Sequence, residues 1–126
     1  MRSTAYLVEK GGQRLFYTGD MFWINKEYHP LLEGIDLVVT EASFLRRGGM
    51  IRRDRATGVA YGHAGVPNLV EFFRKFTANI LFVHFGSWFY SNTRKSRRIL
   101  AALGKENGVH VRAGYEGYEL DLSDLR

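Results

Sequence analysis

Cysteine is absent from the 126 residues, which excludes a disulfide framework, a thiolate zinc site, an iron–sulfur cluster and a cysteine nucleophile. A reducing compartment is the simplest setting. Long apolar runs are missing as well: Ile80 to Val83, and Ile35 to Val39 broken by Asp36, fall far short of the roughly 20 residues a bilayer span needs. No membrane segment is expected. The opening MRSTAYLVEKGG has one early charge and then an alternating pattern instead of a continuous apolar stretch, so it does not read as a signal peptide. The cytoplasm is the expected location. What the chain does have is 45% hydrophobic and 14% aromatic residues, a composition that argues against disorder. Residues 1–126 are expected to form a single domain, which at this size can hide roughly two thirds of the surface exposed when unfolded.

The net charge of +5 is unevenly distributed. Arg46, Arg47, Arg52, Arg53 and Arg55, against the single Asp54, make one basic stretch; Arg94, Lys95, Arg97 and Arg98 make another. The remainder of the chain is therefore net acidic. Two basic patches attract phosphate, although a charge run can also be no more than a solvated face.

Ala5 to Glu9 and Arg14 to Thr18 are β-rich runs around Gly11 and Gly12, the pattern of a hairpin. Asn25 to Leu32 is a helix candidate interrupted by Pro30. Ile35 to Thr40 reads as a strand buried on both faces and followed by Glu41. Leu45 to Tyr61, rich in Arg and Gly, has no clear period and is expected to be a surface loop. Val66, Leu69, Val70, Phe73 and Phe76 recur at helical spacing, with Pro67 in the first turn. Asn79 to Val83 is a second buried strand and delivers His84 to its end. A loop over Phe85 to Ser91, a helix from about Thr93 to Leu103, and closing strands at Val109 to Arg112 and Gly117 to Leu122 complete the expected order. Such alternation is that of an α/β layer, with helices packed against a sheet.

Asp20, Glu41 and His84 each follow an apolar strand, and His63 precedes a helix, so all four lie where the ends of adjacent elements can converge. Asp20 and His84 can share a divalent metal, because carboxylate oxygen and neutral imidazole nitrogen suit zinc, iron or manganese. Glu41 and His63 can form an acid/base pair in which the carboxylate fixes the imidazole tautomer. Read singly, Asp20 is also an ordinary turn residue, His84 a partly buried strand-end histidine, Glu41 a surface carboxylate and His63 a helix cap. His29 and His110 have no acidic neighbour that suggests a site.

YTGD (Tyr17 to Asp20), TEASF (Thr40 to Phe44), GHAG (Gly62 to Gly65) and LFVHF (Leu81 to Phe85), in that order, resemble the C-terminal half of the metallo-β-lactamase superfamily. They look most like its ribonuclease Z and phosphodiesterase branch. The resemblance covers roughly residues 5 to 122 and implies half of an αββα sandwich, a mixed sheet with helices on one face. It further implies that Asp20 bridges two metals and His84 binds one of them, zinc by preference with manganese or iron as alternatives. Glu41 and His63 would then handle protons. The HxHxDH loop that supplies most ligands in that family has no counterpart in these 126 residues, so a complementary N-terminal half or a partner chain would have to complete the site.

On this reading the chain is part of a metal-dependent hydrolase acting on RNA or another nucleic acid, with both basic clusters along the substrate path. The isolated chain is expected to be inactive and to self-associate. Two alternatives remain: a hydrolase of a small ester, lactone or cyclic nucleotide, and a non-catalytic nucleic-acid-binding or assembly subunit.

Overall fold

The computed structural model describes residues 4–20, 24–58 and 60–125. Strands β1 (Tyr6–Lys10) and β2 (Gln13–Tyr17) form an antiparallel hairpin. Its two-residue turn, Gly11-Gly12, has φ of 57° and 79°, the double positive φ that matches the twist of the flanking strands. A 3-10 helix over Lys26–Leu32 precedes β3 (Leu37–Ala42), a separate hairpin of β4 (Met50–Arg53) and β5 (Ala60–His63), and helix α1 (Val66–Phe73). Then come β6 (Asn79–Phe85), the short helix α2 (Ser87–Tyr90), helix α3 (Thr93–Asn107) and β7 (His110–Ala113).

The main sheet has the order β1-β2-β3-β6-β7. Only β1 is antiparallel to its neighbour; β2, β3, β6 and β7 run parallel. The fold is therefore α/β with a mixed sheet. One row of paired residues, Leu7, Phe16, Val38, Ile80 and Val111, crosses all five strands; Phe16, Val38 and Ile80 belong to the hydrophobic core, and the partly buried Leu7 and Val111 pack against it. Val66, Leu69, Val70 and Phe73 of α1 and Leu100 of α3 pack into the same core. The crossovers β3-α1-β6 and β6-α3-β7 step in one direction, and right-handed crossovers of this kind put both helices on one face. The four α1 residues recur at i, i+3, i+4 and i+7, and each side chain so buried contributes about 1.5–3 kcal/mol. On the opposite face, Tyr6, Val8 and Tyr17 remain exposed while Leu37 and Leu81 are buried.

Several expectations need correction. The segment 45–61 is not all loop, because it contains β4 and the start of β5, which pair from Met50–His63 to Arg53–Ala60. No strand forms at Gly117 to Leu122; that stretch is irregular and ends in a 3-10 turn over Leu122–Asp124. The connection after β6 contains α2. Helix α1 stops at Phe73, while α3 continues to Asn107, where Gly108 in the left-handed region donates its N–H to the carbonyls of Gly104 and Lys105. Among the described residues, no helix is long and apolar enough to cross a membrane.

Phe73 has no exposed surface and packs its ring against Phe16 and Phe72. Phe73→Ala is expected to lower the unfolding free energy by about 3–5 kcal/mol, read as a shift in the urea midpoint at unchanged slope.

Candidate metal and proton-transfer site

The C-terminal ends of the parallel strands carry the side chains of interest. β2 gives way to Thr18, whose N–H continues the ladder by donating to the Val39 carbonyl at 3.0 Å. The buried Thr18 and Thr40 hydroxyls meet at 2.8 Å. This join fixes where the chain leaves the sheet, and Asp20 follows two residues later.

His84 reaches the same edge by a different device. Glu41 pairs with Val83 and Ala42 with Phe85, so His84 is skipped as a bulge. Its φ is 53°, the one positive value at a non-glycine among the described residues. Bulges re-aim side chains, and a left-handed non-glycine costs on the order of 1–3 kcal/mol. The far side of the bulge is clamped: the Ala42 carbonyl accepts both the Gly86 N–H at 3.0 Å and the Trp88 indole N–H at 2.8 Å. His84 Nδ1 then lies 3.9 Å from Asp20 Oδ1, with side chains 71% and 56% exposed. Solvent or another chain can reach both.

Beneath them sits Glu41, its side chain 2% exposed. It lies inside β3 instead of after it. Oε2 accepts the Ser43 N–H at 2.9 Å, and Oε1 is 3.1 Å from His63 Nδ1. With the carboxylate as acceptor, Nδ1 carries the imidazole proton and Nε2 is the ring nitrogen left without one. His63 is neither a helix cap nor free; Gly65 occupies the N-cap position of α1. The glycines beside His63 have a packing reason, since a Cβ at Gly62 would strike the Met50 carbonyl and one at Gly65 the Arg46 carbonyl.

Asp20, Glu41 and His84 each offer a ligand atom, all within 4.8 Å of one another, and could hold a metal ion. The donor set fits a divalent cation, with two carboxylates and one imidazole. Both Glu41 oxygens also serve Ser43 and His63, so a metal held by all three groups would share that carboxylate with two hydrogen-bond donors.

The basic residues divide by environment. Arg47 makes two 2.8 Å bonds to Glu71; hydrogen bonding to that carboxylate raises the guanidinium above its ordinary range, and the Arg47 hydrogen bond lowers Glu71. Arg46 donates to the Gly49 carbonyl and lies over the Phe44 ring. Arg97 lies over Phe89, with Arg94, Lys95 and Arg98 exposed on α3. Arg52, Arg53 and Arg55 are on the β4–β5 hairpin and its tip, where Asp54 is held below the carboxylate range by accepting the Thr57 and Ala56 N–H groups. His29 bonds the Ile24 carbonyl and packs on Phe72 and Phe76. His110 is exposed in β7.

Sequence reasoning missed Ser43 and Trp88. The Ser43 contact is made by backbone, which no residue type announces; its only trace is the short step from a carboxylate to an N–H two residues on. The contribution of Trp88 depends on the bulge.

Two stability changes are expected, both measured by urea unfolding. His84→Gly should stabilise the fold by about 1 kcal/mol, because glycine adopts the left-handed conformation without strain. Glu41→Ala should destabilise it by about 1–3 kcal/mol, because the Ser43 N–H and His63 Nδ1–H lose their acceptor. The chain matches no family model and no curated protein, so the case for its chemistry rests on the arrangement of these side chains.

Proposed function

We propose that this chain is one part of a metal-dependent phosphodiesterase or nuclease of the metallo-β-lactamase type, a cytoplasmic enzyme whose site is completed by a complementary half or partner chain. The observation that carries this reading is the convergence of exposed Asp20 and His84 at 3.9 Å above Glu41, which is buried and paired with the half-buried His63. Two ligating groups stand ready for metal at a sheet edge, and an imidazole with a fixed tautomer lies alongside.

Asp20 and His84 would hold metal through carboxylate oxygen and imidazole nitrogen. Two divalent ions there, zinc by preference, would supply Lewis acidity toward the phosphoryl oxygens and an activated water. Glu41 acts through His63 as a positioning residue, keeping the proton on Nδ1 and the ring in place. His63 Nε2, which carries no proton in that tautomer, would take one from the attacking water as its oxygen adds to phosphorus and pass it to the leaving oxygen as that P–O bond breaks. Ligands beyond these must come from elsewhere, and the exposed sheet face at Tyr6, Val8 and Tyr17 is a surface on which another half, or a second copy, could sit.

Calorimetric titration with zinc tests the assignment. Weak, saturable binding is expected, lost in both Asp20→Ala and His84→Ala and retained in His63→Ala. Zinc binding indifferent to the first two substitutions would overturn it. The isolated chain is expected not to hydrolyse bis(p-nitrophenyl) phosphate.

A further inference from the structure

We propose that the β4–β5 hairpin is an arm that holds the phosphate backbone of a nucleic-acid strand, with Arg52 and Arg55 as its contacts. This rests on the hydrolase reading for the identity of the scissile bond, but the binding it describes needs neither metal nor turnover.

The hairpin is a two-stranded sheet of its own, with no strand pairing to the main sheet among the described residues. Residues 51–58 are all exposed, including Ile51. A lone two-stranded ribbon is marginally stable in water, and this one is anchored at its root. There the Gly49 N–H donates to the Arg46 carbonyl, the Gly48 N–H to Asn68 Oδ1, and His63 meets Glu41. The arm therefore springs from the candidate site itself.

Its charges are not compensated locally. Asp54, the one acid in the arm, spends Oδ1 on the N–H groups of its own turn. Arg53 turns back to the Gly58 carbonyl at 2.9 Å. Among the described residues, neither Arg52 nor Arg55 has a carboxylate partner, and the one bond recorded for the Arg52 guanidinium is to the Met50 sulfur at 3.8 Å. By contrast, Arg47 is tied to Glu71. Mutual repulsion among unpaired cations opposes folding of so slight an element, whereas a polyanion laid along it removes that repulsion.

The register gives the arm a direction. Met50 is paired with His63, and Arg52 with Tyr61, two residues farther out. Residues directly opposite, and residues two apart, share a face, so Arg52 and His63 lie on the same side of the ribbon and Arg53 on the other. Arg52 is about 7 Å along the strand from the His63 position at the rise of an antiparallel strand, and Arg55 lies beyond it at the tip. A line of positive charge leading away from the proton-transferring residue suits a chain of phosphates entering the site. A small ester or cyclic nucleotide would not extend to the tip.

The test is fluorescence anisotropy of a labelled 12-nucleotide oligouridylate binding to the full chain in EDTA, across a series of salt concentrations. Arg52→Gln and Arg55→Gln are each expected to reduce the slope of log Kd against log salt by about 0.7, the contribution of one single-strand phosphate contact. Arg47→Gln should leave the slope unchanged. The proposal is overturned if neither arm substitution changes the slope, if the oligonucleotide does not bind at low salt, or if polyglutamate displaces it as readily as unlabelled RNA does. Because metal is absent, any of these results leaves the zinc titration to judge the hydrolase reading separately, and failure of zinc binding would leave the arm intact.

Discussion

The parallel pairing of β3 with β6 is the constraint on which the rest of this structure depends. These central strands bring Val38 and Ile80 into the core on one face and set the height at which Glu41 stands in the ladder and His84 leaves it. Had the two strands stayed in register to their ends, His84 would lie opposite Ala42 as an ordinary member of the sheet. The skipped residue lifts it out toward Asp20. The Ala42 carbonyl, taken by both Gly86 and Trp88, prevents the strand from sliding back into a regular ladder. Conformational strain at His84 is thus confined between well-formed pairing on one side and a two-donor clamp on the other.

Much of the frame was legible because it follows simple periodicities. The Gly-Gly turn between alternating runs announced the first hairpin, and the spacing of Val66, Leu69, Val70 and Phe73 announced α1 and its buried face. The central strands β3 and β6 read as short apolar runs because both of their faces are largely covered. The β4–β5 hairpin escaped because arginines at 52 and 53 hide any apolar alternation, and because its strands have no core to face. Gly117 to Leu122 misled for the opposite reason. Tyr118, Leu120 and Leu122 alternate as in a strand, but the main sheet already ends at β7 and that stretch does not pair with it.

At the candidate site, the sequence placed these side chains near element ends and could not supply their geometry. Asp20 with His84, and Glu41 with His63, do come together as pairs. The burial of Glu41 was not readable, because a charged residue after an apolar strand is usually exposed. Its position decides its chemistry: with one oxygen committed to a backbone N–H and the other to an imidazole, Glu41 organises a neighbour more than it offers itself to a metal. The spacing of YTGD, TEASF, GHAG and LFVHF described only the order of these groups along the chain. Which of them faces solvent and which lies beneath is a matter of three-dimensional packing.

The bond from the Trp88 indole to the Ala42 carbonyl also has an optical consequence. The chain contains just two tryptophans, and this one is fastened to the carbonyl beside the bulge that carries His84. An indole whose N–H is held by a backbone carbonyl emits differently from one hydrated by water. Rearrangement of the strand end therefore carries its own fluorescence signal, with no label attached.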